Sequence, residues 1–162
     1  MTGTVRIDRL HIATVQLTSA IGLFVSNRDR LSAITLAGAA DAILHAMVLK
    51  AGKEPFVDYM VKIEEAKSGT TPPRGKMATH INNELGINAL KHLNEDDADH
   101  IEIDIDQCAL GAIAKAIANY KQVVDHEPDF IKAFYGWTWQ NLDGKKMMEA
   151  YENRPENVRK FT

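Results

Sequence analysis

The stretch DRLSAITLAGAADAILHAMVLKAG, residues 29–52, places apolar side chains on almost every face of a helix. They divide into two sides, with Leu31, Ile34 and Leu49 on one and Leu36, Ile43 and Met47 on the other. A helix that is apolar all round must be covered from several directions. The small residues of LAGAA, residues 36–40, let a neighbouring helix approach closely, and Gly52 ends the helix. The stretch predicts the central helix of a bundle, or a helix that also forms a subunit interface.

Two other segments show the same helical spacing. In residues 7–27 apolar side chains recur at steps of three, four and seven, and Asp8 is available as an N-terminal cap. In residues 106–124 a second apolar stripe follows acidic residues, which are favourable at the start of a helix. Each segment predicts one long helix.

Shorter helices and one extended piece complete the pattern. Pro55 and Pro128 each begin a shorter helix, and a further helix is predicted from about Lys76 to Leu93. The alternation IEIDI, residues 101–105, favours a short extended piece that is too isolated to define a sheet. The sum predicts an all-α, up-and-down bundle of five or six helices.

The composition is typical of one globular domain. Of the 162 residues, 45% are hydrophobic and 25% are charged, which argues against disorder, and the length suits a single core. We assign residues 1–142 to one bundle domain and residues 143–162 to a polar C-terminal tail. Cys108 is the single cysteine, so no intrachain disulfide forms.

The expected environment follows from the same data. The first residues lack the apolar core of a signal peptide, and no apolar run is long enough to cross a bilayer. We therefore expect a cytoplasmic protein with no membrane partner. The net charge of −3 provides no basic field to attract phosphates, so RNA is a disfavoured partner.

A cluster of polar residues in INALKHL, residues 87–93, is the first candidate site. In the predicted helix, Asn88, Lys91 and His92 lie at i, i+3 and i+4 and share one face. That face offers an amide, a fixed positive charge and a proton-transfer group.

The chain also resembles a known group at these residues. NALKH, residues 88–92, is followed by an acidic loop and by IEID, residues 101–104, and is preceded by LSAITLAGAADAIL, residues 31–44. This pattern resembles a group of uncharacterised bacterial helical proteins close to the HEPN-like bundles, over about Leu10 to Trp139. The resemblance implies an up-and-down helical bundle and a homodimer. In active HEPN members it implies a metal-independent ribonuclease site at the subunit interface.

The implied ribonuclease motif is incomplete in this chain. It consists of an arginine, a polar residue directly after it, and a histidine four to six residues later. Asn88 and His92 match the last two, but Ile87 stands at the arginine position. Lys91 supplies a positive charge without the bidentate geometry of a guanidinium. The loss of one such group costs on the order of a hundredfold in rate.

We therefore predict a non-catalytic binding or regulatory module of HEPN-like type. Its partner would be an unidentified protein or small molecule, and no cofactor is implied. The alternative is a degenerate ribonuclease that acts on RNA at a dimer interface through Asn88, Lys91 and His92.

Acidic residues dominate the loop that follows. They are Glu95, Asp96, Asp97, Asp99, Glu102, Asp104 and Asp106, flanked by His92 and His100. Several oxygen ligands would suit Ca²⁺ or Mg²⁺. No frame, however, combines alternating ligands with the glycine that an EF-hand loop needs at its sixth position. We expect a solvated loop in which the acidic side chains stabilise the N-terminus of the next helix. We expect no metal site.

Three further groups are expected to be structural. Asp41 and His45, at i and i+4 on an apolar helix, predict a satisfied polar contact. Cys108 is expected to be a small core residue near a helix start, where the dipole lowers a thiol's pKa. The remaining group is aromatic and could line a pocket or a dimer seam, with at least half of its members in the core: Phe134, Tyr135, Trp137 and Trp139.

Overall fold

The computed structural model describes residues 3–143 together with 146, 149, 152 and 153. Within residues 3–143 there are six α-helices, in this order: α1 Arg9–Val25, α2 Arg30–Lys50, α3 Phe56–Ser68, α4 Arg74–Glu84, α5 Ile105–Val123 and α6 Asp129–Asn141. The described residues contain no strand, so the all-α prediction is confirmed. The predicted tail, residues 143–162, lies largely outside the described residues.

Carboxylate side chains begin the three long helices. Asp8 accepts hydrogen bonds from the backbone N–H groups of Leu10 and His11 at 2.8 and 3.2 Å. Asp29 caps α2 and Asp104 caps α5 in the same manner. Each carboxylate satisfies N–H groups that have no partner within their helix, which explains where these helices start.

Helix α2 occupies the centre of the bundle, as predicted. It packs most extensively against α5 and α1. Its buried residues are Ala33, Ile34, Ala37, Gly38, Ala40, Asp41, Leu44 and Val48. Leu31 and Leu49, on its outer side, are exposed. The expectation that no apolar run is long enough to cross a bilayer is wrong for α2, which could do so by length and composition. Its buried face packs into the bundle, an arrangement compatible with a soluble protein.

Helix α4 ends earlier than predicted. It stops at Glu84 rather than near Leu93, because Gly86 adopts a left-handed conformation with φ of 70°. The N–H of Ile87 donates to the carbonyl of Asn82, and the N–H of Gly86 donates to the carbonyl of Asn83, each at 3.0 Å. These two bonds form the Schellman arrangement that terminates helices.

The extended piece predicted over residues 101–105 is shorter than predicted, with Asp104 in an extended conformation. Residues 101–104 form no strand, and Ile105 is the first residue of α5. The alternating apolar and acidic residues do not continue as an extended segment, because Asp104 accepts a hydrogen bond from the N–H of Gln107 at 3.1 Å and so caps α5. Ile103 instead packs against the main core.

Helices α3 and α4 form a hairpin with its own small core. Val57, Met77 and Ile81 make up this cluster, which is separate from the main core. On the outside, Arg74 holds Asp58 through two hydrogen bonds of 2.6 and 2.7 Å. The hairpin lies beside α5, and the space between them forms the groove described below.

Candidate functional site

The three residues predicted from the sequence lie in a turn instead of a helix. The backbone N–H groups of Lys91 and His92 both donate to the carbonyl of Asn88 at 3.1 Å, which makes a single turn. The Asn88 side chain donates to Asn83 Oδ1 at 2.7 Å, and the side chains of Lys91 and His92 are exposed. The structure therefore ties Asn88 to α4 and leaves the other two facing solvent.

Asn88 and His92 line one open cavity of about 820 Å³. Lys91 is not among its lining residues. The same cavity is lined by Asp97, Asp99 and His100. Two carboxylates near the imidazole repel a phosphate instead of stabilising it. The cavity thus brings together two of the three predicted residues but places negative charge beside them.

Ile87, which stands in the sequence where the ribonuclease motif has an arginine, is buried in the core. Its side chain is 2% exposed. A Cβ added at Gly38 would lie only 2.7 Å from Ile87 Cγ2, so the central helix approaches this turn closely. A guanidinium at this position would be buried among apolar side chains at a large desolvation cost. The small residues of α2 therefore accommodate Ile87, a role that the sequence alone did not indicate.

The acidic residues of the loop act in local structure. Asp97 accepts hydrogen bonds from the backbone and side chain of Asn94 at 2.8 and 2.9 Å. Asp106 pairs with Arg30 at 2.7 Å, and Asp104 is the cap of α5. Among the described residues, no three His, Cys, Asp or Glu side chains converge in a way that could hold a metal ion.

Asp41 forms a buried polar network whose partners are not indicated by local sequence spacing. Its carboxylate accepts a hydrogen bond from Lys115 Nζ at 2.5 Å and one from Asn119 Nδ2 at 2.7 Å. His45, the expected partner, is not part of this network. All three network residues are buried. The prediction of a satisfied polar contact is correct for Asp41, but its partners come from α5.

The network extends from α5 to both helices of the hairpin. Lys115 also donates to Asn82 Oδ1 in α4 at 2.9 Å. Asn119 Oδ1 accepts from the backbone N–H of Phe56 at 2.8 Å. Phe56 is the first residue of α3, where Pro55 provides no side-chain cap, so Asn119 satisfies a free N–H of that helix. Four helices therefore meet at one pair of buried charges.

A groove of about 370 Å³ lies between α3, α4 and α5, next to this network. Its apolar lining consists of Phe56, Met60, Ile63, Met77, Ile81, Leu85, Gly111 and Ala114. Its polar lining consists of Glu64, Lys67, His80, Glu84 and Lys115. Lys115 thus lines the groove although its side chain is only 4% exposed.

Close packing at Gly111 brings α5 and α4 together along the groove. A Cβ at this position would lie 2.5 Å from Leu85 Cδ2, so glycine allows Leu85 to rest directly on α5. Lys115 and Asn119 stand at i and i+4 and therefore share one face of α5. That face lies roughly opposite the apolar stripe of the helix, so the helical pattern alone does not indicate that these two residues are buried.

Cys108 is buried, as predicted, but its acidity changes in the opposite direction. Burial raises the pKa of the Cys108 thiol, and the nearby carboxylates of Asp104 and Glu84 raise it further. These effects outweigh the influence of the helix start, which was expected to lower it. The thiol is therefore not activated as a nucleophile.

The four candidate aromatic residues of α6 divide into two pairs. Phe134 is buried in the main core, and Trp137 packs edge-on against Phe24 with ring centroids 4.7 Å apart. Tyr135 and Trp139 are 40% and 60% exposed. Phe134 is therefore a core residue, Trp137 is partly buried against the core, and the other two lie on the surface.

Comparison of the chain with protein-family models, with curated proteins and with solved structures finds no match.

Proposed function

We propose that this chain is a non-catalytic binding module of HEPN-like type and that it binds its ligand in the groove between α3, α4 and α5. The supporting observation is that Lys115, a buried charged residue, lines an otherwise largely apolar groove. Small-molecule sites in proteins combine apolar walls with a few well-placed polar groups, in volumes of roughly 300–1,000 Å³. The groove, at about 370 Å³, has both properties.

The groove is a better binding site than the larger cavity at His92. Residues 92–101 are exposed loop residues, and much of the lining there is polar. The groove walls instead come from three helices that the network holds in place. A site formed by packed helices is better preorganised for a ligand than a site on a loop.

The pairing within the network favours binding over catalysis. Both carboxylate oxygens of Asp41 accept hydrogen bonds, and Lys115 is held by two acceptors. A general base or nucleophile must be able to exchange a proton or attack a substrate, and these groups are already engaged. The pair is suited to positioning a ligand.

The ribonuclease remains the alternative, because Asn88 and His92 line the same cavity. It requires a cation near His92 from the second copy of a dimer, since Ile87 is buried and Lys91 is not among the lining residues. Cleavage of single-stranded RNA by the purified protein, abolished by His92→Ala, would establish this alternative. We expect no cleavage above that of the His92→Ala variant.

We also propose that the protein is a cytoplasmic, bacterial homodimer that associates through α2 and neighbouring surfaces. The exposed Leu31 and Leu49 on the outer side of α2 support such a contact. Sedimentation equilibrium should give twice the monomer mass, and Leu31→Glu should shift the protein towards the monomer. A monomer at high protein concentration would contradict the dimer without affecting the groove.

The groove itself is tested by blocking it. Ala114 is exposed at the groove, so Ala114→Trp should fill the space without disturbing the core. Gln107→Trp is the matched control, because Gln107 is exposed on the same helix two turns away and does not line the groove. Ligand-observed NMR with small apolar fragments should show binding to the wild type and the control, and none to Ala114→Trp. Equal binding to all three proteins would place the site elsewhere.

A further inference from the structure

Lys115 has one hydrogen-bond donor left for a ligand. A lysine ammonium carries three N–H donors. Asp41 and Asn82 accept two of them, and the described part of the chain provides no third acceptor. An unused donor on a buried charge is costly, and a ligand that supplies an acceptor removes that cost. The third donor of Lys115 is therefore a polar contact that the groove can offer from a buried position.

We infer that the groove binds a small, neutral, mainly apolar molecule whose carbonyl oxygen accepts the third hydrogen bond of Lys115. This inference rests on the proposed function and specifies its ligand class. A carbonyl is a strong acceptor that brings no charge of its own.

The charges around the groove favour a neutral ligand over an anion. Asp41 already balances the positive charge of Lys115 at 2.5 Å. Among the lining residues, Glu64 and Glu84 are negative and Lys67 is positive. A carboxylate ligand would lose its hydration next to these charged residues, and no net positive charge would compensate for that loss. A ketone, ester or amide oxygen needs only the hydrogen bond.

The apolar walls of the groove determine the rest of the ligand's structure. Phe56, Ile81 and Leu85 present apolar surface, and Met60 and Met77 add flexible side chains that adapt to irregular shapes. An aromatic or short aliphatic body of roughly ten heavy atoms suits a groove near the lower end of the volume range for such sites.

Three probes of nearly equal shape test this inference. Acetophenone has the carbonyl, ethylbenzene has the same outline without an acceptor, and benzoate has a negative charge. Dissociation constants would be measured by protein-observed NMR on wild type, Ala114→Trp and Gln107→Trp. A hydrogen bond to a charged group predicts roughly tenfold tighter binding of acetophenone than of ethylbenzene, with benzoate weakest. Ala114→Trp should lose all binding, and Gln107→Trp should keep it.

A second measurement needs no change at Lys115, whose replacement would disturb folding. NMR of the lysine side-chain ammonium groups should show a shift of the Lys115 signal with acetophenone and little shift with ethylbenzene. Lys121, on the exposed side of α5, should not respond to either probe.

The outcomes separate the two proposals. If acetophenone and ethylbenzene bind the groove equally and the Lys115 signal does not move, the carbonyl inference is wrong and the proposed groove function stands. If benzoate binds most tightly, the inference of a neutral ligand is wrong. If no probe shifts groove residues, both the inference and the proposed function fail.

Discussion

Replacement of Lys115 by methionine should be among the most destabilising single changes in the protein. Methionine keeps much of the side-chain volume but removes the charge that balances Asp41 at 2.5 Å. The carboxylate would then keep only Asn119 as a donor, at 2.7 Å, while it stays buried. Breaking one side of a buried ion pair costs about 3–5 kcal/mol. We expect a loss of that size in the free energy of unfolding.

Lys121→Met is the matched control on the same helix. Lys121 pairs with Glu127 at 3.6 Å, and its side chain is 46% exposed. Exposed pairs contribute about 0–1 kcal/mol, because water and salt screen the charges. Both variants should be compared with the wild type by urea denaturation, followed by circular dichroism at neutral pH.

We also expect a partial rescue by a double variant. Replacing both charges, with Asp41→Leu added to Lys115→Met, removes the uncompensated carboxylate, so the double variant should be more stable than Lys115→Met alone. Asn119 would still lose its acceptor, which keeps the double variant below the wild type. If Lys115→Met and Lys121→Met differ by less than about 1 kcal/mol, the buried network does not have the energetic role assigned to it.

Three further predictions concern the framework around the groove. Arg30 donates hydrogen bonds to the carbonyls at the end of α1 and to Asp106, so Arg30→Ala should lower the free energy of unfolding by about 1.5–3 kcal/mol, measured by urea denaturation. Arg28→Ala is the control: Arg28 is exposed, and its replacement should change the free energy of unfolding by less than about 0.5 kcal/mol. Gly86→Ala should lower the melting temperature, because the φ of 70° at this position is unfavourable for alanine. Gly136→Ala should raise the melting temperature, because this residue is exposed within α6 and alanine favours the helix. A lower melting temperature in both variants would contradict this prediction. In the folded protein Cys108 should react slowly with iodoacetamide at neutral pH, because the thiol is buried and its pKa is raised. It should react rapidly once urea unfolds the chain. Fast labelling of the folded protein would contradict this prediction.

The helices were predictable because their signals are local. The apolar pattern of residues 29–52 indicated a helix covered on several sides, and Asp8 marked the start of α1. The end of α4 was predicted too late, although Gly86 is a helix-stop signal. Apolar residues after Gly86 continued the helical spacing, and only the packing of Ile87 into the core shows why the chain turns there.

The candidate site was less predictable because it depends on contacts between distant residues. Asp41 was recognised as a polar residue in a buried helix, but local spacing suggested His45 as its partner. The actual partners, Lys115 and Asn119, lie more than seventy positions away. A buried charge indicates that a partner exists, but a single sequence does not show which of several polar residues the fold brings to it.

The most direct test of the account is a crystal structure of the protein with acetophenone bound. We predict the aromatic ring between Phe56, Met60 and Leu85, with the carbonyl oxygen about 2.7–3.2 Å from Lys115 Nζ. An empty groove at saturating acetophenone, or a ligand whose carbonyl points to solvent away from Lys115, would contradict the account.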